Sequence, residues 1–188
     1  MLGLRRNAGR VLEPSCGDGA FARHLPGCTA IEVDARHCPP GALHQDFFAY
    51  PESEKFATII GNPPYVRDQD IPETTRAWLP TEHFDGRSNL YLFFIEKCLR
   101  HLEPGGELIF ITPRDFLKAT SAVNLNRLLY EAGTITDFIE LGDARIFEGA
   151  TPNCAIWRFE RGNFSRRTCY DAGEGSEDFR AATAMFQQ

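Results

Sequence analysis

Asn62-Pro63-Pro64-Tyr65 directly follows the apolar run Phe56-Ala57-Thr58-Ile59-Ile60-Gly61. A rigid Pro-Pro corner there holds a side-chain amide and an aromatic ring at the C-terminal end of an expected strand, where open α/β sheets carry their ligands. The Asn62 amide oxygen and the Pro63 carbonyl can each accept a hydrogen from one amino group, and Tyr65 can stack on a planar partner. Alone, Asn before Pro is ordinary turn chemistry. Its setting argues for more, because Val11-Leu12-Glu13-Pro14-Ser15-Cys16-Gly17-Asp18-Gly19-Ala20-Phe21 lies upstream as a second strand followed by a glycine loop.

That loop resembles dinucleotide fingerprints, but its glycines stand at x and x+2 without the third one of the dinucleotide motif. Glu13 places an anion at its mouth, which favours a cationic ligand over a phosphate. Glu32 and Asp34 end the next expected strand on one face, where a carboxylate can accept both hydroxyl hydrogens of a ribose. Asp46-Phe47 offers an acceptor for an exocyclic amine and a ring for a purine. His24, Cys28, His37, Cys38 and His44 match none of the usual zinc spacings, so no metal site is expected.

The positioning elements follow from pattern. Strands are expected at residues 10–14, 29–33, 42–45, 56–61, 107–112, 134–141 and 154–160. Helices are expected at 19–25, at 89–102 with Ser88 as N-cap, and at 121–131. Residues 66–87 show no sustained periodicity, and a loop of that length in a compact domain is usually functional. The alternation predicts an α/β fold: a seven-stranded, mainly parallel sheet covered on both faces, its last strand antiparallel. The domain organisation is a core over residues 1–160 and an irregular tail over 161–188.

Composition sets bounds. The 188 residues are 43% hydrophobic with a net charge of −6, a globular chain ill suited to gripping nucleic acid alone. Six cysteines without a Cys-x-x-Cys pair suit reduced thiols. No apolar run is long enough for a membrane span and the start lacks a signal-peptide core, so a cytoplasmic protein is expected, with no membrane partner.

In order and spacing, Glu13, the glycine loop, Glu32, Asp46-Phe47, Asn62-Pro63-Pro64-Tyr65, Asn89-Leu90-Tyr91 and Leu102-Glu103-Pro104-Gly105-Gly106 resemble the amino-group DNA methyltransferases, specifically N6-adenine enzymes of restriction–modification systems. The resemblance runs to about Phe159. It implies a Rossmann-like methyltransferase fold and S-adenosylmethionine as cofactor. By the same likeness Glu13, Pro14, Ser15, Cys16, Gly17, Gly19 and Phe21 hold the methionine part of the cofactor, Glu32 its ribose, Asp46 its adenine amine, and Val33 and Phe47 its adenine faces. Asn62, Pro63, Pro64 and Tyr65 become the catalytic corner, with Tyr65 and Phe147 on the DNA substrate. Independently of the likeness, Arg67, Arg76 and Arg87 in the long loop after the corner offer charge for DNA phosphates or stand as solvated loop charges.

Two departures stand out. Only about ten residues precede the first expected strand, too few for the family's lid helix and its connection, and nothing after Phe159 is large enough to read a DNA sequence. DNA is therefore expected to arrive through a separate or missing recognition domain or subunit. The same corner also serves enzymes acting on protein glutamine or RNA guanine amino groups, and a non-catalytic cofactor-binding module is a third reading.

Overall fold

The computed structural model describes residues 1–80, 82–141 and 154–171. Its strands are β1 (Val11–Glu13), β2 (Thr29–Glu32), β3 (Leu43–His44), β4 (Phe56–Gly61), β5 (Leu102–Pro113), β6 (Gly133–Glu140), β7 (Cys154–Arg161) and β8 (Cys169–Asp171). They form one eight-stranded sheet in the order β3-β2-β1-β4-β5-β7-β6-β8. β7 runs antiparallel to both β5 and β6, and the other neighbours are parallel. β8 is the strand the sequence does not announce. It pairs with β6 inside the stretch expected to be an irregular tail, and its three residues are too few to show an alternation.

The helices are α1 (Glu73–Arg76), α2 (Leu90–His101) and α3 (Val123–Ala132). α2 is buried almost all round, with Leu92, Phe93, Ile95 and Cys98 fully enclosed. Its N-cap is Asn89, not Ser88: the Asn89 side chain accepts from the Tyr91 amide at 3.2 Å, while the Ser88 amide is spent on the Asp85 carbonyl. α2 ends at His101 with Leu102 as its C-cap, before the expected Pro104-Gly105-Gly106 stop, which instead forms an excursion inside β5. Pairing with β4 jumps from Phe56↔Leu102 to Thr58↔Glu107 across it, and Gly105 takes a φ of +76°.

Alternation along the central strands separates two cores. Leu12, Ile59, Leu108, Phe110, Trp157 and Phe159 pack with α2 and α3 in the larger one. Val11, Ile60 and Ile109 point the other way, onto Leu25, Phe21 and the N-terminal residues Met1 and Leu4. Both faces are thus covered, but among the described residues α-helices cover only one, and a 3-10 turn and the N-terminal residues cover the other. The expected helix at 19–25 shrinks to a single 3-10 turn, Ala22–His24, because positive φ at Gly17 and Gly19 delays its start and Pro26-Gly27 ends it.

The thinly covered face also carries charge. The buried Glu107 carboxylate accepts from the Arg6 and Asn7 amides at 3.0 Å, from Thr58 Oγ1 at 2.9 Å and from Arg158 Nε at 2.6 Å. Arg158 also reaches Thr136 Oγ1 at 2.6 Å and Glu160 at 3.0 Å. The N-terminal arm is thereby clamped to the sheet through a hydrogen-bonded charged network. No helix among the described residues is long and apolar enough to cross a membrane.

Candidate active site

Sheet order reverses direction between β1 and β4, neighbours paired in parallel. Their C-terminal ends carry the glycine loop and the Asn62 to Tyr65 corner, so both loops open into the crevice at the switch point. One contact joins them: the Ser15 hydroxyl donates to the Asn62 backbone carbonyl at 2.9 Å. The Asn62 side chain is exposed and makes no hydrogen bond to the described residues, Pro63 is buried, and Pro64 is half-buried. A fixed backbone with a free amide is what an amino-group acceptor needs.

Glu13, 1% exposed, sits beneath the glycine loop and accepts from the Ala22 amide at 2.6 Å. Burial pushes its pKa up to about 7; the Ala22 and Phe21 amides and Arg23 oppose that, and Asp18 adds to it. Pro14 and Cys16 are buried, and burial holds the Cys16 thiol at about 12, so it is no nucleophile at neutral pH. Gly17 at φ +51° donates its amide to Glu32 Oε2 at 2.7 Å, and Glu32 Oε1 accepts from the Asp34 amide at 2.9 Å. Each Glu32 oxygen keeps acceptor capacity for a hydroxyl. Gly19, at φ +82°, leaves room beside Pro39.

Val33 is 62% exposed and offers an open apolar face beside Glu32. Asp46 accepts from the Phe48 amide at 2.8 Å and from Thr75 Oγ1 at 2.5 Å. Two expected ligand contacts pack against core residues. Phe47 is 3% exposed, its ring packed on Phe94 and His101 with Lys97 above it, so it anchors the Asp46 turn in the core and shows no free face. Phe21 is half-buried and packs against the smaller core. An aromatic next to a turn carboxylate reads the same in sequence whether it faces ligand or core.

Tyr65 is 40% exposed and leans on the buried Tyr91, ring centroids 5.4 Å apart. Burial raises its phenol pKa, opposed by a hydrogen bond with the Thr112 side chain, so the hydroxyl stays neutral. Arg67 is exposed and lines a cleft of about 360 Å³ with Asp68, Asp85, Arg87 and Ser88. Phe147 lies outside the described residues. Sequence reasoning missed Thr75 and the supporting Thr112, and gave Tyr91, part of the Asn89-Leu90-Tyr91 likeness, no role at the site; Thr75 gave no signal, being in an aperiodic loop. The histidines and cysteines near residue 37 disperse, His37 onto Asp34 and His44 onto the Val33 carbonyl. Among the described residues no group of three or more His, Cys, Asp or Glu side chains is placed to hold a metal ion.

Residues 37–147, more than half of the chain, match the family model described as Eco57I restriction-modification methylase. The chain belongs to that family. It is 33% identical over 186 residues to the Type II methyltransferase M.TthHB8I of Thermus thermophilus, covering 86% of the chain and 42% of the relative. Against M.HincII of Haemophilus influenzae the identity is 29% over 176 residues, with 86% and 35% covered. The chain thus spans less than half the length of these relatives. Its fold matches the crystal structure of the type I restriction enzyme EcoKI M protein with a TM-score of 0.64 at 15% identity, over 83% of this chain and 40% of that one. It also matches the N-methyltransferase NodS from Bradyrhizobium japonicum in complex with S-adenosyl-L-homocysteine, with a TM-score of 0.52 at 20% identity, over 82% and 78%. The fold is that of S-adenosylmethionine-dependent methyltransferases, and S-adenosylmethionine is the chain's cofactor. A buried carboxylate under the glycine loop, a half-buried one at the end of β2 and a third at Asp46 fit its ammonium, ribose and adenine in that order.

Proposed function

We propose that this chain is the catalytic core of a DNA methyltransferase that methylates the N6 amino group of an adenine swung out of the duplex, within a restriction–modification system. The observation that carries the reading is the Ser15 to Asn62 hydrogen bond, which ties the cofactor loop to the amino-group acceptor. When bound, the cofactor supplies an electrophilic methyl on a sulfonium. Glu13, Pro14, Ser15, Cys16, Gly17 and Gly19 enclose its methionine end, Glu32 accepts its ribose hydroxyls, Val33 covers its adenine, and Asp46 accepts the adenine amine.

The target amine is a poor nucleophile because its lone pair is delocalised into the ring, and it is out of reach inside a duplex. Asn62 Oδ1 and the Pro63 carbonyl each accept one amino hydrogen, drawing the nitrogen towards a tetrahedral shape and aiming its lone pair. Tyr65 stacks on the base, a contact worth about 1–3 kcal/mol. Such direct displacement needs alignment rather than a tuned base. This agrees with a neutral Tyr65 and a protonated Cys16. Arg67 meets a phosphate beside the target. With a net charge of −6, most of the grip on DNA comes from a recognition domain or subunit outside these residues.

Incubation of the protein with S-adenosylmethionine labelled in the methyl group, and with separate DNA, RNA and protein pools, should label the DNA alone; label confined to RNA or protein would overturn the substrate.

Glu13 gives a pH signature. Its folded pKa of about 7 lies above the ordinary 4.5, so the folded state holds a proton that the unfolded chain has released. That stabilisation is complete below 4.5 and is lost as pH rises through about 7. An ammonium beside Glu13 favours the carboxylate, so cofactor should bind more tightly as pH rises from about 6 to 8, with proton release. Calorimetry in buffers of different ionisation enthalpy measures both, and Glu13→Gln should flatten the profile. An equally steep profile in that variant would remove Glu13 from the cofactor site.

A further inference from the structure

The described residues between the catalytic corner and α2, 66–80 and 82–89, form a closed excursion rather than an open loop. The Leu90 amide donates to the Val66 carbonyl at 2.9 Å and pins its two ends together. Within it Arg76 donates to the Gly86 carbonyl at 3.2 Å and to the Asp68 carbonyl, lacing its opposite arms. The Asn124 side chain holds the His83 carbonyl at 2.7 Å from α3. The excursion is therefore fixed on several sides, and α1 at its centre is held in place.

From α1, Thr75 points inward, 6% exposed, and its hydroxyl donates to Asp46 Oδ2 at 2.5 Å. The other Asp46 oxygen accepts from the Phe48 amide at 2.8 Å. A carboxylate's terminal torsion is soft, so an aspartate held at one oxygen can still swing. Held at both, it has one orientation, and each oxygen keeps a lone pair for a further donor. The Thr75 hydroxyl serves Asp46 alone, with no second side-chain hydrogen bond among the described residues.

We propose that Thr75 is a positioning residue for the cofactor, orienting the Asp46 carboxylate to accept the exocyclic amine of the cofactor's adenine. This rests on the reading that Asp46 takes that amine. The bond is charge-assisted and shielded, so its loss lets Asp46 swing or rehydrate, and the penalty falls on ligands that present an amine there. Recognition of adenine over hypoxanthine, which presents a carbonyl at the same position, is then set partly by a residue that touches no cofactor atom.

The test is calorimetry on the intact protein with S-adenosylhomocysteine and with its hypoxanthine counterpart, S-inosylhomocysteine. Thr75→Val should weaken the adenine ligand about tenfold and leave the hypoxanthine ligand within about twofold, whereas Thr75→Ser should bind both like the wild type. No change in Thr75→Val, or an equal loss for both ligands, would overturn the positioning role, the second outcome marking Thr75 as merely structural. Asp46→Asn separates the premise: if it leaves adenine-ligand affinity unchanged, the Asp46 assignment itself fails. If it weakens that affinity while Thr75→Val does not, only the role of Thr75 falls.

Discussion

Asn62→Ala is expected to lower the rate constant of methyl transfer by about 10²–10³-fold, the scale seen when one preorganised hydrogen-bonding group is removed from a reacting centre. Cofactor affinity should stay within about twofold, since the loss concerns an interaction with the amine and not with the donor. The Asn62 side chain makes no hydrogen bond to the described residues, while its backbone carbonyl, untouched by the substitution, keeps the bond from Ser15. The corner should therefore keep its shape and lose one acceptor. Single-turnover methylation together with calorimetry separates the two quantities. A variant that transfers methyl like the wild type, or that loses cofactor and activity in parallel, would contradict the assigned role.

Arg158→Met should cost about 3–5 kcal/mol of folding stability, the penalty for leaving a buried charge without its partner. Glu107 is fully enclosed and receives from Arg158 Nε at 2.6 Å, so removal of the guanidinium leaves a carboxylate with only amides and a hydroxyl around it. The Arg6 and Asn7 amides on the same carboxylate make the N-terminal arm the first element to loosen. Adding Glu107→Gln to Arg158→Met should recover part of the loss, because the cost is the unpaired charge and not the missing contact. Urea unfolding of the single and double variants reads this directly. A single variant within about 1 kcal/mol of wild type would show that the network is not what clamps the arm.

Elements whose residues repeat a pattern over enough length are legible in the sequence. β4 runs over the expected residues 56–61 because six buried residues lie between turn signals, and the corner follows it directly. Glu13 and Glu32 can be placed because each closes a strand that ends in a glycine or acidic turn. Elements held by tertiary contact alone are not legible. β8 is three residues long and exists by pairing with β6, and the thin covering of one sheet face follows from a 3-10 turn standing where the pattern predicts a helix. Residue type assigns Phe47 to ligand and the family likeness assigns Phe21, yet Phe47 is buried in the larger core and Phe21 packs against the smaller one, since an aromatic ring carries no mark of which neighbour it will meet. Thr75 escapes notice because a hydrogen bond spanning 29 residues to Asp46 leaves no local periodicity. The cap falls at Asn89, one residue beyond the expected Ser88, where the side-chain oxygen meets the Tyr91 amide.

The most direct test of the union between the Ser15 loop and the Asn62 corner is the chemical identity of the methylated product. Duplex DNA should be treated with the intact protein and methyl-labelled S-adenosylmethionine, digested to nucleosides and resolved by chromatography. Label is expected in N6-methyldeoxyadenosine and should vanish with Asn62→Ala. Label in N4-methyldeoxycytidine would retain the amino-group chemistry but contradict the adenine target, and label in 5-methyldeoxycytidine would contradict the mechanism, because carbon methylation has no use for an amine held by two acceptors.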